Sequence, residues 1–102
     1  MILNAFSVNM IPAFPANVRF EELTLDKARE MASTARSAVG HADTAAVFTD
    51  VLGLSVPANR ANVVLMPGDI CLLGQYRGPR LPEGATSLPA GATIQWIRVT
   101  VE

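Results

Sequence analysis

The sequence predicts one α/β domain, a mixed sheet of about five strands with two main helices packed on it. Three observations carry this. The chain has 102 residues, the size of a single domain. Half of it is hydrophobic and only 17% is charged, so it has the side chains for a core and too little charge to stay disordered. Two stretches with apolar residues at helical spacing lie among short apolar runs bounded by Pro, Gly and Asn, the pattern of helices set between strands.

Ile2–Phe6 reads as a short apolar strand interrupted by Asn4. Ser7 to Met10 leads into a segment with Pro12 and Pro15, which deny a regular element there. Val18–Glu22 is a second short strand. Thr24 is an N-cap, with Asp26 in the first turn where a negative charge complements the helix dipole. Leu25, Ala28, Ala32 and Ala35 recur at helical spacing, giving a helix from Leu25 to Ser33. Ser37-Ala38-Val39 runs into Gly40-His41, and Asp43 can cap a second helix whose apolar face is Val47, Phe48, Val51 and Leu52. Gly53 follows where a left-handed C-terminal residue belongs. Asn62–Met66 and Ile70–Tyr76 flank the turn signal Pro67-Gly68-Asp69 and read as a β-hairpin. Their continuous apolar character predicts burial on both faces. Arg77 to Ala92, with Pro79, Pro82, Pro89, Gly78, Gly84 and Gly91, is loop. Thr93–Val101 is the last strand.

Charge excludes some functions. A net charge of −1 and a pI near 5.7 leave no general pull on a polyanion, so no clamp for duplex nucleic acid is expected. One cysteine, Cys71, excludes an internal disulfide and a thiolate zinc site, and its neighbours Ile70, Leu72 and Leu73 predict a buried, inert thiol. A single histidine excludes a His-rich metal site. Neither a signal peptide nor an apolar run of roughly 18 residues is visible, so a cytosolic protein with no membrane partner is expected. With so few charges to cover a small domain, a second copy of the chain is expected to cover part of its apolar surface, giving a homodimer.

The uncommitted polar residues fall at element ends, where sites are built on a rigid scaffold. His41 stands before the second helix, either as an acid or base at neutral pH or as a surface or capping histidine. Arg60, Arg77 and Arg80 serve either phosphate recognition or solubility. Glu83 either pairs with Arg80 or acts as a base or water-orienting group. Asn4, Ser7 and Asn9 either cap a turn or face a ligand. No phosphate-binding glycine loop, dinucleotide fingerprint, nucleophile elbow or metal-ligand spacing is present, and no cofactor is expected.

The runs LNAFSVNM (Leu3 to Met10), GHADT (Gly40 to Thr44), NR (Asn59-Arg60) and RLPEG (Arg80 to Gly84) stand in an order and spacing that resemble the viral ring nuclease family. The resemblance covers nearly the whole chain. It implies an anti-CRISPR enzyme against type III systems: a homodimer that binds cyclic tetra-adenylate and cleaves it, without metal, to linear di-adenylates with 2′,3′-cyclic phosphate ends. By the same resemblance His41 is the catalytic histidine and Glu83 its acidic helper, while Asn4, Ser7, Asn9, Thr44, Arg60, Gln75 and Arg80 contact the ligand. Such a protein would work in the cytoplasm of a host cell. Two features depart from the family pattern: GHADT replaces a small/acidic GHDST order, and the segment Arg77-Gly78-Pro79 and the short Ser87 to Ala92 connection differ from the archaeal-virus form, which has a longer helical stretch there.

The residue chemistry suits this activity. A ribose 2′-hydroxyl in line with its own 3′-phosphate needs positioning and a proton donor for the leaving 5′-oxygen. Protonated His41 can be that donor, and Arg80 can stabilise charge on the phosphoryl oxygens. Two other classes compete. A binding protein could sequester a cyclic oligonucleotide uncut, and an interaction protein could dock on another factor through its apolar surface. The first needs no proton donor, and the second leaves the Asn, Ser and Arg groups without a role.

Overall fold

The computed structural model describes all 102 residues, Met1–Glu102. Its elements, in chain order, are β1 (Ile2–Leu3), a 3₁₀ turn (Val8–Met10), β2 (Val18–Leu23), α1 (Leu25–Ala32), α2 (Ala42–Leu52), β3 (Ile70–Arg77) and β4 (Thr93–Val101). The strands form one mixed sheet in the order β1-β3-β4-β2. β1 runs parallel to β3, and β4 is antiparallel to both β3 and β2. The sheet thus has four strands where about five are expected.

The missing strand is Asn62–Met66. The Pro67-Gly68 turn is present, and Asp69 N–H donates to the Met66 carbonyl at 3.0 Å. No hairpin follows, because both edges of β3 are occupied, one by β1 and the other by β4. The segment keeps the alternation of a strand, with Val63 and Leu65 buried and Val64 and Met66 exposed. Its backbone, however, is held by single bonds: Leu65 N–H to the Met10 carbonyl at 2.7 Å and Met66 N–H to Asp69 Oδ2 at 2.8 Å. Period-two burial specifies an extended chain lying on a core and does not specify a ladder partner. The first strand is also shorter than Ile2–Phe6, since the chain leaves the sheet at Asn4.

The helix expectations hold with one correction. Thr24 Oγ1 accepts from Lys27 N–H at 3.3 Å and caps α1. The N-cap of α2 is His41, not Asp43, which lies within the first turn; Gly53 ends the helix at φ 71°. Both faces of the sheet's centre are buried, while the edge strand β2 has no buried residue. On the helix side Ala28, Ala32, Phe48 and Leu52 pack on Ile2, Leu72 and Trp96, with the Phe48 and Trp96 rings edge-on at 5.0 Å. On the other side Leu3, Cys71, Leu73, Val99 and Val101 are covered by Ile11, Val63 and Leu65 from the two extended loops. Cys71 is 1% exposed, and burial raises its thiol pKa, as the apolar run around it predicts. No helix is long and apolar enough to cross a membrane.

Candidate functional site

The segment Ser37–Val39 delivers His41 to the exit of β1. Ser37 bridges to Ile2 in parallel, Ile2 N–H donates to the Arg36 carbonyl at 2.7 Å, and Ala38 N–H donates to the Ile2 carbonyl at 2.8 Å. A second short pairing, Val39 with Ala58, brings Arg60 alongside. Side chains lock it: Ser37 Oγ donates to the Pro57 carbonyl at 2.6 Å, and Asn59 Nδ2 donates to the Ser37 carbonyl at 2.7 Å. Asn59 is therefore scaffold, while the Arg60 stem passes Gly40, where a Cβ would lie 3.9 Å from Arg60 Cγ.

These contacts make a depression whose floor includes Leu3, Met10 and Val63 and whose polar groups are Asn4, His41 and Arg60. His41 is exposed and makes no side-chain capping bond, although its carbonyl accepts from Ala45 N–H at 3.0 Å. Its imidazole makes no hydrogen bond within the fold, so His41 holds the N-cap position without capping through its side chain, and its exposure suits both the acid or base and the surface histidine. The start of α2 adds peptide N–H groups that favour an anion.

A second groove adjoins the first and shares Asn4 and Ala5 with it; Gln75, Phe6, Phe20, Leu73 and Ile97 complete it. The Phe6 and Phe20 rings meet edge-on at 5.4 Å. A third depression contains Asp43, Arg80 and Glu83. It shares no lining residue with the first; both border the start of α2, where Asp43 follows His41 by two residues in the chain. Arg80 and Glu83 form no ion pair with each other, and Arg60, Arg77 and Arg80 all lack a carboxylate partner; the four ion pairs lie elsewhere. Unpaired guanidinium groups around a concave surface can bind phosphate.

The remaining residues divide. Ser7 Oγ accepts from Asn9 N–H at 3.2 Å and caps the 3₁₀ turn, so its hydroxyl oxygen has a structural partner. Asn9 is exposed, and Thr44 is half-buried in the first turn of α2. Arg77 is engaged: its guanidinium donates to Gln95 Oε1 at 3.2 and 3.4 Å, and Gln95 Nε2 donates to Glu22 Oε2 at 3.3 Å. Sequence reasoning gave Asp43 only a capping role. Its carboxylate instead accepts from Gly84 N–H, at 3.1 Å. No sequence signal marks that contact, which spans residues 41 apart.

The fold and chain resemble those of two proteins of archaeal viruses. Uncharacterized protein 26 of Sulfolobus islandicus filamentous virus (isolate Iceland/Hveragerdi) is 35% identical over 85 residues, which cover 81% of this chain and 71% of the relative. The solved structure of B116 of Sulfolobus turreted icosahedral virus superposes with a TM-score of 0.78 at 26% identity, covering 97% of this chain and 96% of that one. The sequence model of the STIV B116-like family matches residues 1–91, and the chain belongs to that family.

Proposed function

We propose that this protein is a metal-independent ring nuclease that opens cyclic tetra-adenylate and so switches off type III CRISPR signalling. One arrangement carries the reading: His41, free of any structural hydrogen bond from its side chain, shares a depression with Arg60 and Asn4, and the loop carrying unpaired Arg80 and Glu83 is bonded to the first turn of the helix that His41 begins. The resemblance of LNAFSVNM, GHADT and RLPEG to the viral ring nucleases supplies the substrate.

The step balances without added reactant. The ribose 2′-oxygen attacks the adjacent phosphorus, forming the 2′,3′-cyclic phosphate, and the bond from phosphorus to the 5′-oxygen breaks. Protonated His41 gives its proton to that leaving oxygen. The 2′-hydroxyl proton passes to Glu83, directly or through a water. Arg60 and Arg80 neutralise charge that grows on the non-bridging oxygens. In a two-fold homodimer each group occurs twice, so one ring is cut at two opposite bonds into two linear di-adenylates.

The test is incubation with cyclic oligoadenylates of different ring size, in chelator, for wild type and His41→Ala. The expected result is cleavage of the four-nucleotide ring by the wild type and strongly slowed cleavage by His41→Ala. Binding without cleavage by the wild type would replace the nuclease with a protein that sequesters the ring. Absence of both would overturn the reading.

A further inference from the structure

We propose that Asp43 is a positioning residue whose carboxylate tethers the turn carrying Glu83 to the start of α2, two residues from His41. The proposal rests on the reading above for its consequence, but the tether itself is a property of the free protein.

The connection from Gly78 to Ala92 is long for antiparallel neighbours, which a turn of roughly 2–5 residues can join. Its base is closed: the Tyr76 hydroxyl donates to the Pro79 carbonyl, and a Cβ at Gly78 would lie 2.8 Å from Ala92. Beyond the base, the loop bonds to itself, with Ala85 N–H to the Pro82 carbonyl and Ala92 N–H to the Pro89 carbonyl, both at 3.1 Å. The one hydrogen bond from residues 80–92 to the rest of the protein is Gly84 N–H to Asp43 Oδ1. Without it, nothing but packing holds Arg80 and Glu83 near α2.

The donor is free because of the turn. Pro82 to Ala85 is closed by the Ala85-to-Pro82 bond, with Gly84 third at φ 78°, the signature of a type II turn. Its own bond uses the Ala85 N–H and leaves the Gly84 N–H to be satisfied elsewhere. Glu83 occupies the second position, so it is displayed next to the tethered amide. The acceptor is equally free: Asp43 makes no ion pair, and it lies inside the first turn, beyond the N-cap position that His41 holds. One carboxylate therefore fixes the acidic helper relative to the proton donor.

Two measurements test this. Amide exchange at Gly84, followed by NMR in ligand-free protein, reads the tether. It is expected to speed up in Asp43→Ala and to stay slow in Asp43→Asn, whose side-chain oxygen still accepts. Single-turnover cleavage reads the consequence. Asp43→Ala is expected to lose roughly 10- to 100-fold in rate with little change in ring affinity, and Asp43→Asn to retain most of the rate. In a Glu83→Ala background, Asp43→Ala is expected to add almost nothing, because both act through one group. Unchanged exchange in Asp43→Ala overturns the tether. Full additivity of the two substitutions overturns the positioning of Glu83. A wild type that cleaves no ring sinks the functional reading, and the exchange measurement then decides the tether by itself.

Discussion

At the residue scale, His41 and the arginines differ in kind. A general acid acts only as the leaving oxygen departs, so His41→Ala is expected to slow cleavage by roughly 10²–10⁴-fold while ring binding survives. A single-turnover assay beside a binding titration separates the two, and undiminished cleavage removes His41 from the mechanism. In the proposed reaction Arg80 would act on a phosphate already charged in the ground state. Losing a charge-assisted contact costs about 1.5–3 kcal/mol, and in a two-fold dimer each substitution acts twice on one ring. Arg80→Ala is therefore expected to weaken binding more than tenfold, with only partial recovery in Arg80→Lys, because an ammonium lacks the planar fork. An unchanged dissociation constant would remove Arg80 from the clamp; Arg77, held by Gln95, would be the poorer substitute. Cys71 stands apart from this chemistry. Burial raises its thiol pKa, so the thiolate that reacts with alkylating reagents is suppressed until the fold opens. Labelling is expected to follow unfolding, and prompt reaction in native buffer would contradict the burial.

At the element scale, β3 carries the most constraint. Its two faces are buried, its two edges are paired, and Gly74 lies beneath two rings. A Cβ there would come 2.7 Å from Trp96 Cζ3 and 2.8 Å from Phe48 Cε2. Gly74→Ala is therefore expected to cost about 1–3 kcal/mol through overpacking, although alanine suits a strand backbone. A denaturant midpoint unchanged from wild type would show that the Phe48–Trp96 pair can move aside. β3 also shows where sequence reading stops. Its apolar run announces burial on both faces, and along β4 the two-residue period puts Trp96 on the helix side and Val99 and Val101 on the other. The partner of β3 could not be read in the same way. Asn62–Met66 has the composition of a strand and the adjacent turn, yet β1 and β4 take the two edges. Pairing is decided by competition among distant segments, and a local pattern carries no record of the competitors.

At the scale of the whole molecule, the candidate site is assembled from the exit of β1, the start of α2, the Asn59-Arg60 segment and the Arg80 to Gly84 loop. Its polar residues were visible in the sequence as interruptions of apolar runs and as motifs. Their roles were less so: Ser7 caps a turn, one of its two readings, through the amide of Asn9 two residues on, whereas Asn59 is a scaffold through the Ser37 carbonyl, which no local pattern marks. The same scale yields the prediction on assembly. Val8, Phe14, Phe20, Val64, Met66 and Ile70 are each more than half exposed, a large apolar share for the surface of so small a chain. Phe20 lines the groove that shares Asn4 with the His41 depression, so apolar surface and candidate site are continuous. A ligand of four repeating units can satisfy two identical half-sites only if they face each other across a two-fold axis. A stable homodimer binding one ring is therefore expected. Sedimentation at micromolar concentration should report a species of twice the 10.9 kDa chain mass, and calorimetric titration with a non-cleavable ring should saturate at one ring per two chains. A lone 10.9 kDa species binding one ring per chain would confine the whole reaction to a single set of groups, and cutting at two opposite bonds would then require the ring to release and rebind.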